Sequence, residues 1–182
     1  PWSWPKLALF DMDSTLITME VIDELAKEAG VGEQVAAITE AAMRGELDFN
    51  ASLTQRVATL KGLPLSVIES VRERLQFNPG VPEFARQAKQ QNCYLALVSG
   101  GFIPFAQWVS QTLQFDFARA NDLAMSGQQL LGTVNGEIVN AQVKARTLAE
   151  LSAQQKIKTQ DVMAVGDGAN DLLMMAAAGT SV

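Results

Sequence analysis

Leu9–Thr18 reads LFDMDSTLIT, and the fold turns on how its two acids are interpreted. The preceding run KLALF (Lys6–Phe10) has the length and composition of a short strand buried on both faces, and it stops at Asp11 and Asp13. Along a strand, positions i and i+2 point to the same side. Two carboxylates placed there repel each other unless something positive stands between them. One reading is a loop or helix cap with solvated acids. The other is a metal site or a reactive carboxylate at a strand end.

Downstream of Thr18 the pattern turns helical. MEVIDELAKEAG carries apolar residues at Val21, Ile22, Leu25, Ala26 and Ala29, with Gly30 as a stop. EQVAAITEAAMRGE, NASLTQRVATLKG and PLSVIESVRERLQ follow with the same period, so residues 18–78 are expected to form a small helical bundle. Asn78–Val81 (NPGV) breaks that block, and elements then alternate. PEFARQAKQQN reads as helix, Cys93–Ser99 (CYLALVS) as buried strand, FIPFAQWVSQTLQ as helix with Pro104 near its start, and FDFARA as a short strand. Asn135-Gly136 in LLGTVNGEIVN is a two-residue hairpin signal. AQVKARTLAELSAQQK (helix), DVMAVGD (strand) and NDLLMMAAAG (helix) complete the series. Strands alternating with helices imply an α/β fold with a parallel sheet covered on both faces. Residues 1–17 and 79–182 are expected to form the discontinuous core, with 18–78 as a cap inserted after the first strand. Ligands of such sheets lie at the carboxyl ends of strands, so an insertion rooted at Asp13 would lie over the site.

Composition narrows the chemistry. The chain has 182 residues, 48% of them apolar, enough for a substantial core. Lys and Arg number 14 against 20 Asp and Glu, a net charge of −6, which gives no reason to expect a nucleic-acid partner. Histidine is absent, which removes Ser-His and Cys-His nucleophiles and every His-ligated metal site. The lone cysteine, Cys93, sits in an apolar run and reads as core; it cannot form an internal disulfide, which fits a reducing cytoplasm. No apolar run approaches the roughly 20 residues that span a bilayer. PWSWP at the start resembles a linker and AAAGTSV stops as an apolar segment begins, so the chain is expected to be cut from a longer one.

Three strands end in small, polar or acidic residues: LFDMD, LVSGG (Ser99, Gly100, Gly101) and AVGDGAND (Asp167, Asn170, Asp171). If those strands are parallel neighbours, their ends converge. Several carboxylates at one place call for a cation, and all-oxygen ligation favours Mg²⁺ over zinc. Ser99, two glycines and a following helix offer a hydroxyl and close backbone N–H groups for an anion. Lys144 can add positive charge. Each feature alone is commonplace; their placement at strand ends and helix starts is what joins them into a phosphate site.

DMDST (Asp11–Thr15), SGG (Ser99–Gly101), Lys144 and GDGAND (Gly166–Asp171) resemble, in order, the motifs of the haloacid dehalogenase superfamily of phosphohydrolases. DMDSTLITMEVIDELAKEAGV, RGELDFNASLTQRVATLKGLP and VSGGF are similar, more narrowly, to its phosphoserine phosphatase family, over nearly the whole chain. The resemblance implies a Rossmann-like core and Mg²⁺-dependent hydrolysis of O-phosphoserine, the last step of serine biosynthesis, through an aspartyl-phosphate. By the same resemblance Asp11 is the nucleophile and Asp13 the acid and base. The metal is held by Asp11, the Asp13 carbonyl and Asp167. Ser99, Gly100, Lys144 and Asn170 bind phosphate, and Asp171 supports Lys144 or the metal shell. Glu20 and Arg56 take the substrate ammonium and carboxylate, with Met43 and Phe49 walling off solvent. The resemblance also implies a strand and helix beyond GDGAND, so the sheet is expected to lack an edge strand here. Three alternatives stand beside this reading: a phosphatase or phosphotransferase for another small phosphomonoester, a receiver-like phosphoacceptor signalling domain, and a catalytically silent binding module, against which the intact Asp11, Asp13, Lys144 and Asp167 argue. Oligomeric state is not encoded in any motif.

Overall fold

A computed structural model describes residues 2–166, 168 and 171–182. Its centre is a six-stranded sheet built from β1 (Leu7–Phe10), β2 (Tyr94–Phe102), β3 (Phe117–Ser126), β4 (Gln129–Asn135), β5 (Val162–Val165) and β6 (Thr180–Ser181), in the order β4-β3-β2-β1-β5-β6. β1 runs parallel to both β2 and β5, with Leu7 opposite Tyr94 and Val162. Its four residues are all buried because both faces are covered. Leu7 and Leu9 point into one core layer with Val143, Leu148 and Met174, while Ala8 and Phe10 point into the other with Phe105 and Val109. That split is the strand period of two made visible.

Four helices separate β1 from the rest of the sheet: α1 (Val21–Ala29), α2 (Gly32–Met43), α3 (Phe49–Ala58) and α4 (Ser66–Arg72). α1 ends at Gly30, which takes a left-handed φ of 73°. The Asp48 side chain caps α3 by accepting the Ala51 N–H. The two connections into this block run side by side: Thr18 N–H donates to the Gln76 carbonyl at 3.0 Å and Asn78 N–H to the Leu16 carbonyl at 2.9 Å. The Asn78 side chain adds a bond to the Thr15 carbonyl at 2.8 Å. The core helices are α5 (Val81–Gln90), α6 (Ile103–Leu113), α7 (Ala141–Gln154) and α8 (Leu172–Ala176). Pro104 lies in the first turn of α6, where a missing N–H leaves no helix bond unmade.

Three expectations need correction. The sheet is mixed, because β4 runs antiparallel to β3. The hairpin joining them turns at Gly127, not at Asn135-Gly136. Gly127 has φ 61°, as the first central residue of a two-residue loop can require. Asn135 instead ends β4, and β3 is longer than FDFARA. The edge beyond β5 is also taken: β6 pairs in parallel with it through Met163–Thr180 and Ala164–Ser181.

The hairpin reaches the inserted helices. Gly62 N–H donates to the Leu130 carbonyl, Leu130 N–H to the Leu63 carbonyl and Leu65 N–H to the Gln128 carbonyl, each at 2.9 Å. Gly132 permits the approach, since a Cβ there would meet the Lys61 Cβ at 2.8 Å.

Candidate active site

Flanking β1 with β2 and β5 brings the three polar strand ends together, at the point where the chain's strand order reverses. Asp11 directly follows β1 and is 7% exposed. Its N–H donates to the Val165 carbonyl at 2.9 Å, and its Oδ1 accepts the Met12 N–H at 2.8 Å. Lys144 arrives from the first turn of α7, which the Asn140 side chain caps through the Val143 N–H. The Lys144 ammonium is fully buried, 3.2 Å from Asp11 Oδ1 and 2.6 Å from Asp171 Oδ1. Asp171 is fully buried too, and its Oδ2 accepts the Gly168 N–H at 3.3 Å.

One buried cation therefore serves two buried carboxylates, and the deficit falls on Asp11. Burial pushes its carboxyl up to about 7; Lys144 opposes the rise and Asp171 adds to it. Burial works against the charge of Lys144, but the two carboxylates outweigh it and hold the ammonium above the usual lysine range. Asp13 turns toward α1, where its Oδ2 accepts the Val21 N–H at 3.3 Å. Its Oδ1 is shielded from solvent without a hydrogen-bond partner. Burial, and then the charges of Glu20 and Asp11, raise its carboxyl well above the carboxylate range. Ser14, at φ 59°, donates its hydroxyl to Glu20 Oε1 at 2.9 Å.

Ser99, Gly100 and Gly101 bow out of the sheet. Val98 pairs with Arg119 and Phe102 with Asn121, so β2 advances four residues while β3 advances two. Ser99 is fully buried, and its Oγ accepts the Gly101 N–H at 2.8 Å, which leaves its own proton to donate. Gly100 lies against the Phe49 ring: a Cβ there would come within 2.8 Å of Phe49 Cζ.

Above these groups opens a cleft of about 760 Å³ that Asp11, Asp13, Ser99 and Gly100 share with Glu20 and Arg56. Met43 and Phe49 line it as well. Met43 does so from the rim and remains 82% exposed, so it does not seal the cleft; Phe49 is half-buried. The Arg56 Nε donates to the Ser52 carbonyl at 3.3 Å. Burial lowers the Arg56 pKa from its usual value, and the charges of Asp23, Glu20 and Asp13 offset part of that. Asp167 and Asn170 lie outside the described residues. Asp23, Thr39 and Ser52 also line the cleft and went unnoticed in the sequence. Asp23 had a signal: it stands three residues after Glu20, hence on the same face of the helix start.

Among the described residues, no three His, Cys, Asp or Glu side chains form a metal-holding group. The donors that Asp11 and Asp13 bring are nonetheless suited to a hard divalent ion. They are oxygens only, one carboxylate is held near neutrality by burial, and one shielded carboxylate oxygen has no partner.

A family profile described as haloacid dehalogenase-like hydrolase matches residues 5–179. The chain belongs to that family, as the sheet order and the strand-end acids already indicate. Its relatives include phosphoserine phosphatases: that of Haemophilus influenzae is 49% identical over 97% of this chain and 56% of its own length. For the Streptococcus thermophilus enzyme the figures are 46%, 97% and 82%. A structure of an analogue of the phospho-aspartyl intermediate of phosphoserine phosphatase superposes with a TM-score of 0.91 at 40% identity, covering 98% of this chain and 86% of that one. A substrate-bound phosphoserine phosphatase complex gives 0.92 at 39% identity, with 99% and 86% covered. The chain spans about half the length of several curated relatives, 52% of the Archaeoglobus fulgidus enzyme and 54% of the Vibrio cholerae one.

Proposed function

We propose that this chain carries the catalytic centre of a phosphoserine phosphatase, which hydrolyses O-phosphoserine to serine and phosphate. The observation that carries the reading is Asp11 at the floor of a cleft whose wall holds Glu20 and Arg56, backed by the fully buried Lys144 and, through it, Asp171. Asp11 attacks the phosphorus and takes the phosphoryl group as an aspartyl-phosphate. Asp13, whose burial favours its protonated form, gives its proton to the departing serine oxygen. The ionised Asp13 then takes a proton from water. That water attacks the phosphorus, phosphate leaves, and Asp11 is restored. Ser99 Oγ, the Gly100 N–H, Lys144 and Asn170 hold the phosphoryl oxygens, whose charge spreads in the transition state. Mg²⁺, held by Asp11, the Asp13 carbonyl and Asp167, would supply the charge neutralisation that lets a carboxylate approach a phosphate.

Glu20 receives the substrate ammonium and Arg56 its carboxylate, an Arg–carboxylate pairing that favours two-point contact. Phe49 covers the phosphate end and Met43 the rim. Residues 18–78 act as a cap on a core of 1–17 and 79–182. The reaction belongs to serine biosynthesis in the cytoplasm, consistent with a buried, unpaired Cys93. Among the described residues, no helix is long and apolar enough to cross a membrane. The test is phosphate release from O-phosphoserine, O-phosphothreonine and phosphoglycolate, with and without Mg²⁺. O-Phosphoserine should be preferred and the metal required; equal rates on all three would refute the assignment of Glu20 and Arg56.

A further inference from the structure

We infer that Asn121, which lies outside the cleft lining, is the positioning residue that sets the geometry of the phosphoryl cradle; the inference rests on the reading of that site given above. Asn121 is 1% exposed and uses both ends of its amide. Its Nδ2 donates to the Gly100 carbonyl at 2.9 Å. Its Oδ1 accepts the Val139 N–H at 2.8 Å.

The first bond holds the backbone where the regular register is interrupted. Where β2 advances four residues against two of β3, Ser99–Gly101 falls in the register shift between the paired residues Val98 and Phe102. Two consecutive glycines without a Cβ leave their torsions nearly unrestricted. The Gly100–Gly101 peptide is nevertheless held at both ends, its carbonyl by Asn121 and its N–H by Ser99 Oγ at 2.8 Å. Fixing that plane aims the neighbouring Gly100 N–H and turns the Ser99 proton outward. The second bond fastens Val139, whose neighbour Asn140 caps α7 and accepts the Lys144 backbone N–H at 2.9 Å. A single buried amide thus joins the segment that presents Ser99 and Gly100 to the helix that presents Lys144.

The experiment compares Asn121→Asp and Asn121→Ala with the wild type in the full-length protein. Asn121→Asp keeps the acceptor for Val139 and replaces the donor to Gly100 by an oxygen; Asn121→Ala removes both. Three quantities are read in Mg²⁺ buffer: kcat and KM for O-phosphoserine, the affinity for inorganic phosphate, and the affinity for serine. Displacement of reacting groups by a fraction of an ångström predicts a fall in kcat of roughly 10- to 100-fold. Phosphate affinity should fall with it, while serine affinity stays within about twofold. Variants that keep kcat and phosphate affinity within about twofold of wild type overturn the inference. So does a parallel loss of serine and phosphate affinity, or failure of both variants to fold, since each marks a purely structural role. A wild type that binds phosphate but leaves O-phosphoserine intact refutes the phosphatase reading alone, because phosphate affinity still reports on Asn121. A wild type that binds no phosphate overturns both.

Discussion

Replacing Asp171 with alanine removes the nearer of the two carboxylates that hold Lys144. The ammonium is fully buried and 2.6 Å from Asp171, so the substitution leaves it with Asp11 alone at 3.2 Å. Breaking a buried pair by deleting one partner destabilises by about 3–5 kcal/mol when the surviving charge is left uncompensated; Lys144 keeps Asp11, so about 3 kcal/mol is the ceiling here. For a chain of this size about 2–4 °C of Tm follows each kcal/mol, so Asp171→Ala should melt below wild type by up to roughly 6–12 °C. Thermal unfolding of metal-free protein followed by circular dichroism reads this directly. A companion triple variant, Asp11→Asn with Lys144→Met and Asp171→Leu, removes all three buried charges and should recover most of the loss while remaining inactive. Large destabilisation of both variants to the same extent would show that packing around Asp171, and not the weakened pairing of Lys144, sets the effect. A Tm within about 2 °C of wild type for Asp171→Ala would refute the electrostatic argument outright.

Asp11→Asn should abolish turnover while leaving the fold intact, checked by phosphate release and circular dichroism. It should also change the pH dependence of stability. The Asp11 carboxyl stands at about 7 in the fold against an ordinary 3.8, so between those values the folded state holds a proton the unfolded chain has lost. Stability from this group is therefore present below about pH 4 and lost as pH rises toward 7. Metal-free Asp11→Asn should match wild type near pH 4 and exceed it at about pH 8 in thermal melts. Arg56→Ala should raise KM for O-phosphoserine about tenfold or more with kcat much less affected, since it removes binding shared by ground and transition states. Gly100→Ala puts a methyl 2.8 Å from Phe49 Cζ and should lower kcat/KM. Adding Phe49→Leu should restore part of it, and a purely additive double mutant would count against this contact.

Much of the site was legible because its chemistry sits where element boundaries are easiest to read. KLALF ends in acids, CYLALVS ends in glycines, and DVMAVGD ends in an acid; a buried apolar run followed by a small or charged residue is a strong local signal. The order of the strands then brought those ends together. Sequence periodicity failed where long-range pairing decided the outcome. Asn135-Gly136 is a good isolated turn, yet Gly127 made the hairpin because β4 found its partner upstream in β3. Met43 was expected to close the cleft, but helical spacing cannot say whether a residue at the end of α2 faces inward or stays on the rim. Asn121 escaped notice altogether. Its importance lies in a two-residue slip between neighbouring strands, and no local pattern encodes register.

The backbone bonds from Gly62–Leu65 to the β4 hairpin change the kinematics of the inserted helices. The two chain connections near Thr18 and Asn78 are themselves bonded together, so mechanically they act as one fixing. A body held at one fixing can tilt in any direction; a second fixing at a distance leaves a swing about the line that joins them. The two sets of backbone bonds define a line from the paired connections to the hairpin, and a swing of the helices about it would break side-chain contacts such as Asn140 Nδ2 to Asn50 Oδ1. Such a swing would separate Phe49 from Gly100 and keep both sets of backbone bonds. Slow amide exchange at Gly62, Leu65 and Leu130, persisting through substrate entry and product exit, is the signature of such a pivot.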